Sequence, residues 1–210
     1  MTSRTVSLPR FPLRLPPGGR VGLLMLLTLF LSGCGINNIP AYDEQVKAAW
    51  AQVQNQYQRR ADLIPNLVAT VKGYAAHEKD TLEAVVQARA KVGSVQVDER
   101  TINDPKKMKQ FEQAQAQLTG ALSRLMVVVE RYPDLKANQN FLALQSQLEG
   151  TENRIAIARR DYILAVQKYN TEIRTFPGRI WHSLLYSDMK PHESFQATAP
   201  NAEQAPQVKF

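Results

Sequence analysis

A seven-residue spacing of large apolar side chains commits most of this chain to helix. Phe141, Leu148, Ile155, Tyr162, Tyr169 and Phe176 fall seven apart, and Leu144, Thr151, Ala158 and Ala165 fill the alternate seam. That repeat places one apolar stripe on a helix and suits no strand, whose side chains alternate with period two. A second segment carries two interleaved series of the same kind: Met108, Gln115, Leu122, Val129 and Phe111, Leu118, Leu125, Tyr132. From Asp43 to about Val92 the apolar residues again recur at helical spacing, through Val46, Trp50, Val53, Tyr57, Ile64, Val68, Val71, Ala75, Leu82 and Val85. Gly93 closes this run, which reads as one helix about 75 Å long.

The segment "GSVQVDERTIND" is polar and reads as a loop, and Asp104–Pro105 as the cap and first turn of the next helix. "YPDLKAN" supplies another turn, Pro177–Gly178 ends the third helix, and "RIWHSLLY" forms a short helix after it. The expected fold is all-α: an elongated antiparallel helical bundle of three long helices plus a short C-terminal helix. Its body is 43–188, followed by a loose polar tail over 189–210.

The N-terminus is of another character. Its first twenty residues hold four arginines and no acidic residue, and the apolar run Val21–Leu31 follows. Eleven apolar residues fit a signal-peptide core better than a membrane span, which takes about twenty. "LSGC" at 31–34 resembles the lipobox of bacterial lipoproteins, whose cysteine carries lipid. It also accounts for the one cysteine of the chain, which has no partner for a disulfide. The expectation is a leader over 1–33, a lipidated N-terminus and linker over 34–42, and a periplasm-facing protein held to the membrane at Cys34. Gly35 after the cysteine, where an aspartate would retain a Gram-negative lipoprotein at the inner membrane, favours the outer membrane. The alternative is an uncleaved single-pass anchor in the inner membrane. The leader's arginines also supply much of the excess of 26 basic over 19 acidic residues. The rest of the chain is near balance, so nucleic acid is not an expected partner.

No catalytic pattern emerges. His77, His182 and His192 are scattered, and phosphate-loop, dinucleotide, nucleophile-elbow and zinc spacings are absent, so no catalytic, metal or cofactor-binding residue is expected. Charges near the apolar seams are more informative. Arg60, Glu78, Glu152 and Arg159 lie close enough to the buried stripe to read in two ways. Either their stems run along its edge with the charges in water, or they form partly buried pairs that fix helix register. Pro65 in "ADLIPNL" should bend or break the first helix, with Asp62 capping the restart. Arg59, Asp62 and Asn66 lie outward and form a candidate partner surface.

Together "RRADLIPNLVATVKGYAAHE" at 59–78, "FEQAQAQLTGALSRLMVVVERYPDLKANQNFLALQSQLEGTENRIAIARRDY" at 111–162 and "YNTEIRTFPG" at 169–178 resemble the LemA family. The resemblance implies a bacterial helical bundle, membrane-associated at its N-terminus, with no established catalytic residues. The expected function is scaffolding or protein–protein interaction in the cell envelope with an envelope protein partner, and homo-oligomers are compatible with it. The alternatives are an accessory factor or enzyme in envelope remodelling or proteolysis, and a component of a transport assembly.

Overall fold

The computed structural model describes residues 35–95 and 98–195; Cys34, the leader expected over 1–33 and the segment after 195 lie outside them. The helices are α1 (Asn38–Tyr74), α2 (Lys79–Ser94), a 3-10 turn (Glu99–Asn103), α3 (Pro105–Val129), α4 (Pro133–Lys136), α5 (Gln139–Glu172) and α6 (Gly178–Leu185). Among the described residues there is no strand, and the expected all-α bundle is the fold observed. None of these helices is long and apolar enough to cross a membrane.

The first long helix divides into two. α1 ends at Tyr74, and a turn closed by the Glu78 N–H on the Ala75 carbonyl leads into α2. Residues 76–81, "AHEKDT", carry no large apolar side chain to hold a helix against the core. α1 also starts earlier than the linker expected over 34–42, with Pro40 in its first turn, where the missing N–H has no intrahelical partner to lose. α2 folds back along α1 and pairs with α3, while α1 pairs with α5. α3 and α5 approach each other less closely, and a groove opens between them.

Pro65 does not break α1, which runs unbroken through it. Proline withholds the N–H that would bond the Ala61 carbonyl one turn earlier. Arg89 of α2 takes that place, donating its Nε–H to the Ala61 oxygen at 2.9 Å. Asp62 therefore caps no restart; it accepts from Gln58 Nε2 on the exposed face. Arg89→Met should destabilise the bundle by about 1 kcal/mol, because a half-buried carbonyl loses its donor. In a Pro65→Ala background the new N–H satisfies that carbonyl, so the same substitution should cost clearly less. A double-mutant cycle by urea denaturation measures the difference.

Local chemistry sets the other ends. Asp104 accepts from the Lys106 and Lys107 N–H groups at the start of α3, and Asn138 accepts from the Phe141 N–H at the start of α5. The loop expected after α2 contains the 3-10 turn, closed by Asp98 and Thr101 capping each other and burying Ile102. α5 ends at Glu172, so Phe176 leaves the heptad seam and stands 81% exposed. Ile173 is the last residue of that region to enter the core. Residues 189–195, expected to belong to a loose tail, are held instead: Met189 and Phe195 pack against the core, and the segment between them is hydrogen-bonded to the bundle.

Candidate functional site

The apolar core forms two clusters. One gathers around Trp50, Tyr57, Phe111, Ile155 and Tyr162, the other around Ile64, Leu67, Leu118, Leu125 and Leu148. At the level between them each of the three longest helices supplies a polar residue: Arg60 from α1, Gln115 from α3 and Glu152 from α5. Arg60 is 1% exposed. Its Nη1 donates to Glu152 Oε1 at 2.8 Å and to Thr119 Oγ1 at 3.1 Å, and its Nη2 donates to the Gln115 side-chain and backbone oxygens. The guanidinium also stands 5.0 Å from the Tyr57 ring centre. Burial pushes the Tyr57 hydroxyl above its ordinary range, against the pull of Arg159 and Arg60.

The four seam charges fall into separate contacts. Arg60 and Glu152 pair, and only the Glu152 side chain, 44% exposed, reaches water. Arg159 does not join them: its guanidinium covers the Phe195 ring at 4.4 Å. Glu78 lies elsewhere, accepting from Arg131 Nη2 at 3.0 Å and from the Tyr132 hydroxyl at 2.9 Å, so that it ties the α1–α2 turn to the end of α3. Arg59, Asp62 and Asn66 lie exposed on α1.

Over this polar layer runs the groove between α3 and α5. One stretch, a cavity of about 310 Å³, is lined by Tyr57, Arg60, Gln115, Glu152 and Arg159. The next, about 270 Å³, is lined by Leu122, Ser123, Met126, Gln145 and Leu148, and the two share Thr119 and Glu152. The groove is thus polar at one end and apolar at the other, with a fixed charge pair where they meet. Among the described residues no three His, Cys, Asp or Glu side chains converge as a metal ion would need.

A second constellation clamps residues 189–195. His192, 6% exposed, has Nε2 2.7 Å from Asp43 Oδ1 and Nδ1 2.6 Å from Asn103 Oδ1. Asn170 brackets its backbone, accepting from the His192 N–H and donating to its carbonyl. The Tyr169 and Tyr162 hydroxyls donate to the Lys190 and Glu193 carbonyls, and the Glu193 N–H donates to the Ile102 carbonyl. Lys47 completes the set on Asp43 Oδ2 at 2.9 Å; the carboxylates of Asp43 and Glu44 hold its ammonium above the ordinary lysine range. Burial pushes the Tyr169 hydroxyl up to about 12.

A carboxylate–imidazole pair can serve as a general base, but here both ring nitrogens already face protein oxygens. The geometry is that of a clamp. A neutral His192 donates to Asp43 and needs the Asn103 amide nitrogen turned toward Nδ1. Sequence reading missed this cluster, because Asp43 and His192 lie 149 positions apart and the tail's composition gave no sign of order.

Burial lowers the His192 pKa from its ordinary 6.5, with Asp43 opposing the shift. A base so depressed contributes stability above its unfolded value and loses it as pH falls through the folded one, because the unfolded chain binds the proton first. Wild type should therefore lose stability relative to His192→Asn, which lacks the group, as pH falls from neutrality through about 6.5 and below. Urea midpoints across that range provide the check; parallel curves would contradict it.

The sequence profile of the LemA family matches residues 49–210. Protein LemA of Metamycoplasma hominis is 25% identical over 140 residues, which is 67% of this chain and 60% of that protein. Magnetosome protein MamQ 2 of Paramagnetospirillum magneticum is 28% identical over 177 residues, 76% of this chain and 64% of its own length. Magnetosome protein MamQ of Magnetospirillum gryphiswaldense is 26% identical over 153 residues, 64% of this chain and 55% of its own. The chain spans less than two thirds of the length of each of these relatives.

Proposed function

This chain belongs to the LemA family, and we propose that it is a membrane-tethered helical protein of the cell envelope that works by binding a protein partner along the groove between α3 and α5. The groove carries this reading. Its apolar stretch offers Leu122, Met126 and Leu148, and its polar stretch offers the Arg60–Glu152 pair, already fixed in position. Apolar contact would supply affinity and the charge pair would set the register of the bound segment. Long helices packed around a rigid core present such a surface without large rearrangement on binding.

The tether is the lipid on Cys34, with the bundle in the periplasm and, in a Gram-negative cell, the outer membrane as its site. The basic leader, the apolar run and "LSGC" support it. Metabolic labelling with a fatty-acid analogue should tag the wild type and leave Cys34→Ser unlabelled. After gentle solubilisation, an envelope protein should co-purify with wild type and be lost from Met126→Glu with Ser123→Arg, groove-wall changes at a half-buried and an exposed position. Equal recovery with both forms would contradict the assignment of the groove.

A further inference from the structure

We propose that α6 and the turn before it form a lipid-facing surface on which the bundle rests against the tethering membrane; this builds on the tether reading above. Four large apolar side chains stand in water within ten residues: Phe176 (81% exposed), Ile180 (46%), Leu184 (69%) and Leu185 (56%). Elsewhere Tyr74, Val86, Val127 and Leu142 stand apart from one another, and Ile157, Ile163 and Leu164 lie along α5. Scattered residues of that kind are ordinary, whereas a concentrated group marks a contact surface.

α6 is not a fraying end. Trp181 and Tyr186 pack against the first core cluster, and His182 Nε2 bonds the Met189 carbonyl. Gly178 sits so close to Glu172 that a Cβ there would meet its carbonyl oxygen at 2.2 Å. The inner face is therefore fixed, and it holds an apolar outer face toward whatever lies beyond. Arg174 and Arg179 are exposed within the same stretch as the patch, and Asp188 is the one acid over residues 174–190. This combination of apolar contact and flanking basic residues suits an anionic lipid surface.

Position selects the membrane over a protein. Asn38, the first residue of α1, donates from Nδ2 to Glu172 Oε1 at 3.2 Å, so the bundle begins beside the α5–α6 turn. Cys34 precedes Asn38 by four residues, and covalent geometry lets it lie no farther than about 14 Å away. A lipid held there brings the bilayer to the end of the bundle that carries the patch.

The test uses the full lipidated chain, reconstituted in vesicles of phosphatidylcholine with a minority of phosphatidylglycerol. Leu184→Trp places a probe on the patch. Val127→Trp places one beside the second core cluster, away from α6. Both positions are exposed and should accept the change. With acyl-brominated lipid, the fluorescence added by Leu184→Trp should be quenched severalfold more than that added by Val127→Trp. Equal, weak quenching while the protein floats with the vesicles would overturn the lipid face and leave the tether standing. A blue shift that grows with protein concentration, without bromine quenching, would give the face to a second copy. Protein that does not float would overturn the tether reading and this proposal with it.

Discussion

Arg60→Ala should cost the bundle about 3–5 kcal/mol, what deleting a large buried side chain costs when its buried hydrogen-bond partners also lose their donors. The substitution removes the donors that hold Glu152, Thr119 and both Gln115 oxygens, and leaves a void between the two apolar clusters. Its neighbours fare differently. Glu152 already reaches water, so Glu152→Gln should cost only about 1–2 kcal/mol, since Arg60 keeps its other acceptors. Arg159→Met removes a guanidinium stacked on Phe195 and should cost about 1 kcal/mol or less. Urea denaturation of the chain lacking its first 34 residues reads all three. Similar small losses would mean that the polar layer does not hold the helices in register.

Gly178→Ala is the second large effect, expected at about 2–3 kcal/mol, the upper part of what overpacking costs. The added methyl would lie 2.2 Å from the Glu172 carbonyl oxygen and 3.0 Å from its carbon, both backbone atoms that no rotamer change can move. Relief requires α6 to shift, so the near-ultraviolet dichroism of Trp181 should change with the stability. Gly120→Ala is the contrast. Nothing lies within 4 Å of its Cβ, and alanine's better helix propensity should leave the protein unchanged or up to about 1 kcal/mol more stable. Equal behaviour of the two variants would refute the packing argument.

How far the sequence could be read follows from how local each determinant is. The seams of α3 and α5 were legible because their seven-residue spacing recurs several times, and the Asp104 cap because its partners are two and three residues away. The turn after Tyr74 was not, since Ala75 and Leu82 lie seven apart and the apolar repeat runs straight across it. Pro65 misled for a different reason: its cost is offset by Arg89, on another helix, which the local pattern cannot show. Seam position found Arg60 and Glu152, 92 positions apart, because a buried charge must have a partner. The same reasoning could not place Arg159 or Glu78, whose partners depend on the turns and on Phe195. The groove was beyond reach, because a heptad says which face is buried and not how closely two helices approach.

Site-resolved photo-crosslinking in intact cells tests the proposed binding groove most directly. A photoreactive amino acid at Ser123 or Gln145, on the groove wall, should join this chain to one discrete envelope protein, the same from both sites. From Arg59, Asp62 or Asn66, on the exposed face of α1, it should give no such product. Adducts from those three positions with none from the groove would contradict the account.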